Sequence, residues 1–217
     1  VTPVSTTPAT NDRIVWVDCE MTGLDIVNDA LIEVAAVVTD SELRVLGEGV
    51  DAIITPPAEA LEQMVPFVRQ MHTTSGLLEA LPGGMTMAQA QDVVLDYVRH
   101  WVPEAGKAPL AGNSVGTDKA FLERDMADLV GHLHYRIVDV SSFKEVARRW
   151  YPRIYFASPE KTGGHRALAD ILDSIDELRY YRAAMLVPPP GPDSATARQI
   201  ATEVLATTVR PGRATEG

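Results

Sequence analysis

A single cysteine, Cys19, is all the chain offers toward a disulfide, so no internal bridge can staple the fold. No apolar run reaches the roughly 18 residues that a membrane-spanning helix needs. Long runs of lysine or arginine are missing as well: the 217 residues carry 19 Lys+Arg against 30 Asp+Glu, a formal net charge of −11. A protein that tracks a long nucleic acid displaces many phosphate counterions and shows a basic face for the purpose. The acidic balance therefore argues against a long polyanionic track. It leaves room for a small anionic ligand held by a few cations, or by metal ions that bring the positive charge themselves.

What is present is ordinary for a soluble globular protein, with 46% hydrophobic and 23% charged residues. The length suits one substantial core or two small ones. Val1 to Thr10 is rich in Thr, Pro and Ala and has neither a basic segment nor an apolar stretch, so it does not read as a secretory signal. A cytoplasmic protein is the expectation. The expected organisation is a flexible N-terminal extension over 1–12, one α/β domain over 13–187, and a flexible tail over 188–217. Pro188-Pro189-Pro190-Gly191-Pro192 opens that tail and must be extended.

Arg13 to Glu20 reads as a strand, with Ile14, Val15 and Val17 β-branched around Trp16. Leu31 to Thr39 is a near-continuous Val/Ala/Ile run, as in a strand buried on both faces. Asp40-Ser41-Glu42 reads as a turn, and Leu43 to Ile54 as a further extended segment. Three strands joined by short turns predict an antiparallel start to the sheet. Helical spacing follows over Ala58 to Leu81 and over Met87 to Trp101, where Ala90, Val93, Val94, Tyr97, Val98 and Trp101 form one stripe. Pro103 stops that helix. A short strand is expected over Ala108 to Gly112, then a helix over Thr117 to Leu129 with Thr117 as its cap. Tyr135 to Val140 is another strand, followed by a helix through Arg149. The last clear helix runs from near Arg166 to about Met185, and a short one is expected around Ala197 to Ala206.

Four acids and one histidine draw attention. Asp18 and Glu20 close the first strand, and the strand period of two puts both carboxylates on one face. Carboxylates so placed need solvent, a partner or a cation, and a wet strand end meets that need as well as a metal does. Asp118 ends the segment Gly112-Asn113-Ser114-Val115-Gly116-Thr117-Asp118, where an Asp in a first helical turn complements the helix dipole without further purpose. His165 closes Lys161-Thr162-Gly163-Gly164-His165, with Asp170 five positions on. Five residues turn about 140° on a helix of about 3.6 residues per turn, so the two converge only if His165 sits off the helix. Asp170, Asp173 and Glu177 also form an acidic stripe that a solvated helix face would explain. Together, the types suit one chemistry. Mg²⁺ is held by a few carboxylates plus substrate phosphates. Two such ions about 3.5–4 Å apart can activate a water and neutralise a leaving oxygen. A histidine, ordinarily with a pKa of about 6.5, suits the water's proton near neutrality.

In its motifs the sequence resembles the oligoribonuclease family, in the histidine-bearing branch of the DEDD exonuclease superfamily. The resemblance is carried by Ile14-Val15-Trp16-Val17-Asp18-Cys19-Glu20-Met21-Thr22-Gly23-Leu24-Asp25, by His72-Thr73-Thr74-Ser75-Gly76-Leu77, and by Gly112 to Asp118. It continues through His134-Tyr135-Arg136-Ile137-Val138-Asp139-Val140-Ser141, through Glu145 to Trp150, and through His165 with Asp170. It spans about Arg13 to Arg182, nearly the whole expected domain.

The resemblance implies a ribonuclease H-like α/β fold with a mixed five-stranded sheet flanked by helices. It implies a 3′-to-5′ exoribonuclease acting on short single-stranded RNA, dinucleotides especially, and releasing nucleoside 5′-monophosphates. Asp18, Glu20, Asp118 and Asp170 would bind two Mg²⁺ or Mn²⁺ ions, and His165 would be the general base. The family register selects Asp170 over Asp173. Leu24 would wedge against the substrate bases, and Ser114, Arg136 and Ser141 would cap the 5′ phosphate, with His72 nearby. Tyr135 would reach into the other subunit's site in a homodimer. Phe67 stands where the family often has tryptophan and offers a smaller aromatic face for stacking. Plain readings stand beside these roles: Leu24 as a turn hydrophobe, Arg136 as a surface cation, Ser114 and Ser141 as caps, Tyr135 as core. Two rival functions also stand, a proofreading-type DNA exonuclease of the same superfamily and a non-catalytic nucleotide-binding module.

Overall fold

The structure of the protein, a computed structural model, describes residues 12–160 and 164–207. Expectations placed on 1–11, 161–163 and 208–217, including most of the N-terminal extension, Gly163 and the end of the tail, lie outside the described residues. Strands β1 (Ile14–Met21), β2 (Leu31–Thr39) and β3 (Val45–Ile53) form an antiparallel meander. β4 (Pro109–Gly112) then pairs with β1 in parallel, and β5 (His134–Asp139) with β4, giving a five-stranded mixed sheet in the order β3-β2-β1-β4-β5.

The helices are α1 (Ala58–Glu62), α2 (Pro66–Thr74), α3 (Leu77–Ala80), α4 (Met87–Trp101), α5 (Gly116–Asp125) and α6 (Ala127–His132). After β5 come α7 (Val140–Trp150), α8 (Pro152–Phe156), α9 (Ala167–Met185) and α10 (Ser194–Thr207). The period of two along β1 sorts its side chains between two apolar layers. Val15, Val17, Cys19 and Met21 join a core with Val94 and Val98 of α4, Phe121 of α5 and Leu129 of α6. Trp16 faces the other way, into a core with Ile171, Ile175 and Tyr181 of α9. Each large side chain buried here contributes about 1.5–3 kcal/mol, and Trp16 also donates its indole N–H to Thr39 Oγ1 at 3.0 Å. The same alternation turns Asp18 and Glu20 toward α9.

The expected strands and α4 fall within a residue or two of their observed bounds. Thr86 and Gln89 close a capping box on α4. Two expected helices are broken instead. The stretch Ala58 to Leu81 becomes α1, α2 and α3. Pro66, which has no amide to continue α1, opens α2, and Gly76 in the left-handed region separates α2 from α3. The stretch Thr117 to Leu129 becomes α5 and α6, parted at Met126, whose φ of −132° is not helical. Thr117 is not the cap: Val115 holds that position, and no side chain caps α5. α8 is an addition, opened by Pro152 directly after α7. Among the described residues, no helix is long and apolar enough to cross a membrane.

Candidate active site

The sheet brings Asp18 and Glu20 to one end, whereas the register through β4 sets Tyr135 and Arg136, early in β5, level with the start of β1 and toward the other end. Glu20 lies buried near the end of β1, and a ligand atom of its carboxylate lies within 4.8 Å of one from Asp170 and one from His165. Asp170 belongs to the first turn of α9, with Arg166 as that helix's N-cap. His165 precedes the cap with φ 62°, off the helix, which is how the rotation between positions 165 and 170 is overcome. Asp18 is half-buried on the same face of β1 as Glu20. Asp118 comes from the first turn of α5, and its Oδ1 accepts the amide of Cys19 at 3.0 Å. That bond seats the carboxylate on the backbone between Asp18 and Glu20. β4 approaches β1 closely enough there that a Cβ on Gly112 would stand 2.8 Å from the Val17 carbonyl oxygen.

The electrostatics are those of a centre short of positive charge. Burial, and then the neighbouring carboxylates of Asp170, Glu33 and Asp118, push the Glu20 carboxyl up to about 8. Burial likewise pushes Asp118 up to about 6. Below Glu20 lies His72, fully buried, with Nε2 against the Met21 carbonyl oxygen at 2.9 Å. A carbonyl can only accept, so Nε2 carries the proton and Nδ1 keeps a lone pair, 3.9 Å from Glu20 Oε2. Burial holds this imidazole below the usual histidine range. A set of buried oxygen donors with raised proton affinity fits a hard divalent cation.

The sign of the pH effect follows. Glu20 and Asp118 both titrate higher in the folded chain than in the unfolded one. The stability this gives the cation-free chain is full below the unfolded carboxylate values and is lost as pH rises through about 6 and then about 8. A cation that binds the ionised forms opposes that loss. Added Mg²⁺ or Mn²⁺ should therefore raise Tm more at about pH 8 than at about pH 5. Calorimetry showing equal gains would contradict this account of the centre.

A second cluster stands beside the first. Ser114 has φ 53°, and its amide donates to Asp139 Oδ1 at 3.0 Å and to Ser141 Oγ at 2.9 Å. The two serine hydroxyls are 3.0 Å apart. Neither serine is a cap: Asp139 is the N-cap of α7, accepting the Ser141 amide at 2.9 Å. Behind them, Ser141 donates to Asn113 Oδ1 at 3.2 Å, and Asn113 Nδ2 donates to Glu177 Oε2 at 3.0 Å. Glu177 is buried and also meets Lys144 Nζ at 3.4 Å. The stripe through Asp170, Asp173 and Glu177 is thus not simply a solvated face.

The remaining candidates face solvent. Leu24 is 76% exposed, on a loop braced by Thr22 and Asp25, both bonded to the Asp29 carboxylate at 2.9 Å. A Cβ on Gly23 would strike that carboxylate. A cleft of about 430 Å³ lies between this loop and Val65 and Val68 at the start of α2. Phe67 on α2 is 78% exposed and Tyr135 on β5 is 76% exposed, so neither is core. Arg136 is exposed on β5, its guanidinium carbon 5.5 Å from the Tyr135 ring centroid. A larger cavity of about 1000 Å³, walled by Leu31, Ile54, Met85 and Arg124, has none of the candidate residues in its lining.

Several participants escape a reading of the sequence. Glu33, fully buried on β2, pairs with Arg166, and Arg166 also reaches Asp51 on β3. The available signals were a lone acid inside an otherwise apolar strand and a cation directly after His165. Asp139 is signalled only by its place at a strand end.

The RNase_T family, described as "Exonuclease", matches residues 15–178. The oligoribonuclease of Streptomyces griseus is 69% identical over 196 residues, covering 90% of this chain and 98% of that protein. The oligoribonuclease of Cutibacterium acnes is 63% identical over 188 residues, covering 87% and 93%. Among solved structures, Escherichia coli exonuclease I in complex with a dA16 oligonucleotide is 19% identical with a TM-score of 0.62. Exonuclease I from Methylocaldum szegediense is 18% identical with a TM-score of 0.60. Each likeness takes in 80% of this chain and 41% of the longer protein, and it shows the shared fold. The chain belongs to the oligoribonuclease family of exonucleases.

Proposed function

We propose that this chain is a 3′-to-5′ exoribonuclease that cuts short RNA oligonucleotides, dinucleotides above all, into nucleoside 5′-monophosphates. The observation that carries this reading is the meeting of Glu20, Asp170 and His165 within 4.8 Å, beside a buried Asp118, in a chain so close to known oligoribonucleases. Asp18, Glu20, Asp118 and Asp170 would hold Mg²⁺ or Mn²⁺, two ions per site. When bound, the ions neutralise charge at the scissile phosphate and lower the pKa of an attacking water. His165, exposed and next to two of the acids, would take the water's proton on its imidazole. Leu24 and Phe67, both presented to solvent, would flank the bases. His72, buried under Glu20, would support the site from below.

The phosphate cap is read in the Ser114 and Ser141 hydroxyls, with Arg136 as the cation. Ser141 also receives the Ser114 amide and so shapes the αL turn. Ser141→Ala should raise KM about ten-fold for a 5′-phosphorylated RNA dinucleotide, by loss of hydrogen bonds to a charged group. The unphosphorylated dinucleotide should be affected far less. Equal effects on both would remove Ser141 from the cap.

A homodimer with Tyr135 contributed across the interface is supported by the edge position of β5 and by its exposed Tyr135 and Ile137. Trp150, also exposed, lies on the adjoining α7. A cytoplasmic location agrees with the single buried cysteine. The direct test of substrate class compares a 5′-phosphorylated RNA dinucleotide with a long single-stranded DNA. Faster turnover of the dinucleotide is expected. Faster turnover of the DNA would favour the rival reading, a proofreading-type DNA exonuclease of the same superfamily.

A further inference from the structure

Glu33 and Arg166 have no part in the reaction as described, yet they sit against its central residues. The antiparallel register sets Glu33 on β2 directly opposite Glu20 on β1. Like charges facing each other across a strand pair repel, and Glu33 is fully buried, so each carboxylate needs its own compensation. Glu33 takes it from the chain. Its Oε1 accepts from Arg166 Nε at 2.8 Å and lies 2.7 Å from Arg166 Nη2. Its Oε2 accepts the amide of Ala167, the first residue of α9, at 3.1 Å. Arg166 Nη2 also reaches Asp51 Oδ2 on β3 at 3.4 Å. These are charge-assisted bonds, the stronger kind.

The bonds bear on the residues either side of Arg166. His165 holds a left-handed backbone, φ 62°, which a residue with a side chain keeps only when its surroundings impose it. The amides of Ala169 and Asp170 both donate to the Arg166 carbonyl oxygen at 3.0 Å. Arg166 is therefore the hinge between His165 and the turn that carries Asp170, and its guanidinium is tied to the strand rung that carries Glu20.

We propose that Glu33 and Arg166 form a positioning clamp that fixes His165 and Asp170 against Glu20. Neither residue touches the reacting atoms; both act through the segment 165–170. The activity arm of the test rests on the function proposed above, and an amide-exchange arm does not.

The test uses the full chain carrying Arg166→Ala, Arg166→Lys or Glu33→Gln. Wild-type turnover of a 5′-phosphorylated RNA dinucleotide with Mg²⁺ is measured first; its absence would reject the proposed function and leave the clamp to the exchange arm. With turnover present, Arg166→Ala should lower kcat about 10–100-fold, as losses of supporting partners do, with KM within about three-fold of wild type. Arg166→Lys should recover part of that loss. Adding Glu33→Gln to Arg166→Ala should lower kcat no further, because both break one unit. In hydrogen exchange, the Ala167 and Asp170 amides of Arg166→Ala should open about ten-fold faster while the β1 amides stay protected. Arg166→Ala is the variant at risk of misfolding, because it strips the fully buried Glu33 carboxylate of its cation. If it does not fold, Arg166→Lys and the isosteric, neutral Glu33→Gln decide the matter, and wild-type kcat in both would overturn the clamp. An Arg166→Ala chain with wild-type kcat, or with unchanged exchange at Ala167, would overturn the clamp. So would a rise confined to KM.

Discussion

Asp118→Asn is expected to lower dinucleotide turnover by on the order of 10³-fold, the scale seen when a group aimed at developing charge is removed, while the fold survives. The amide keeps the shape of the carboxylate and an oxygen for the Cys19 amide, which the native side chain accepts at 3.0 Å. What it removes is the negative charge proposed to hold a cation. Stability should move the opposite way to activity. Burial already pushes Asp118 up to about 6, so at neutral pH the cation-free chain carries an ionised group that the fold disfavours. The neutral amide relieves this, and Asp118→Asn without added cation should melt at or above the wild-type temperature at about pH 8. Divalent cations should then raise its Tm much less than that of wild type. Turnover within ten-fold of wild type would remove Asp118 from the centre.

Replacing His165 should cost about 10²–10⁴-fold in kcat, the usual worth of a positioned general base, with KM little changed. Two substitutions separate chemistry from folding. At φ 62° alanine is strained whereas glycine is not, a difference of roughly 1 kcal/mol. His165→Gly should therefore be the more stable of the two, and both should be equally slow. Both should also gain rate toward high pH, as hydroxide takes over from the missing base. If His165→Gly kept near-native activity, the loss in His165→Ala would be conformational and the base would have to be sought elsewhere.

Much of this centre was legible in the chain because it depends on local rules. The period of two along β1 set Asp18 and Glu20 on one face, and helical rotation required His165 to lie off α9, where it does. The antiparallel start followed from short turns such as Asp40-Ser41-Glu42, where Asp40 Oδ1 accepts the amides of Glu42 and Arg44 at 2.9 Å. What escaped depends on contacts between distant segments. Glu33 is a single acid within an apolar strand, and only the fold brings Arg166 to it across 133 positions. Asn113, Ser141 and Glu177 meet in the same way, from the loop after β4, from α7 and from α9. Thr117 was misjudged as a cap for a related reason. The first turn of α5 is set by the Ser114 loop, whose carbonyl accepts the Thr117 amide at 3.1 Å, and that loop is held in turn by Asp139 and Ser141.

The central claim is that this acidic centre hydrolyses very short RNA with the help of divalent cations. The most direct measurement incubates the full chain with a defined 5′-phosphorylated RNA dinucleotide, with Mg²⁺ or Mn²⁺ and with chelator, and identifies the products. Nucleoside 5′-monophosphates that appear only with the cation are the predicted result. An intact dinucleotide under every condition, or products that form equally well in chelator, would contradict it.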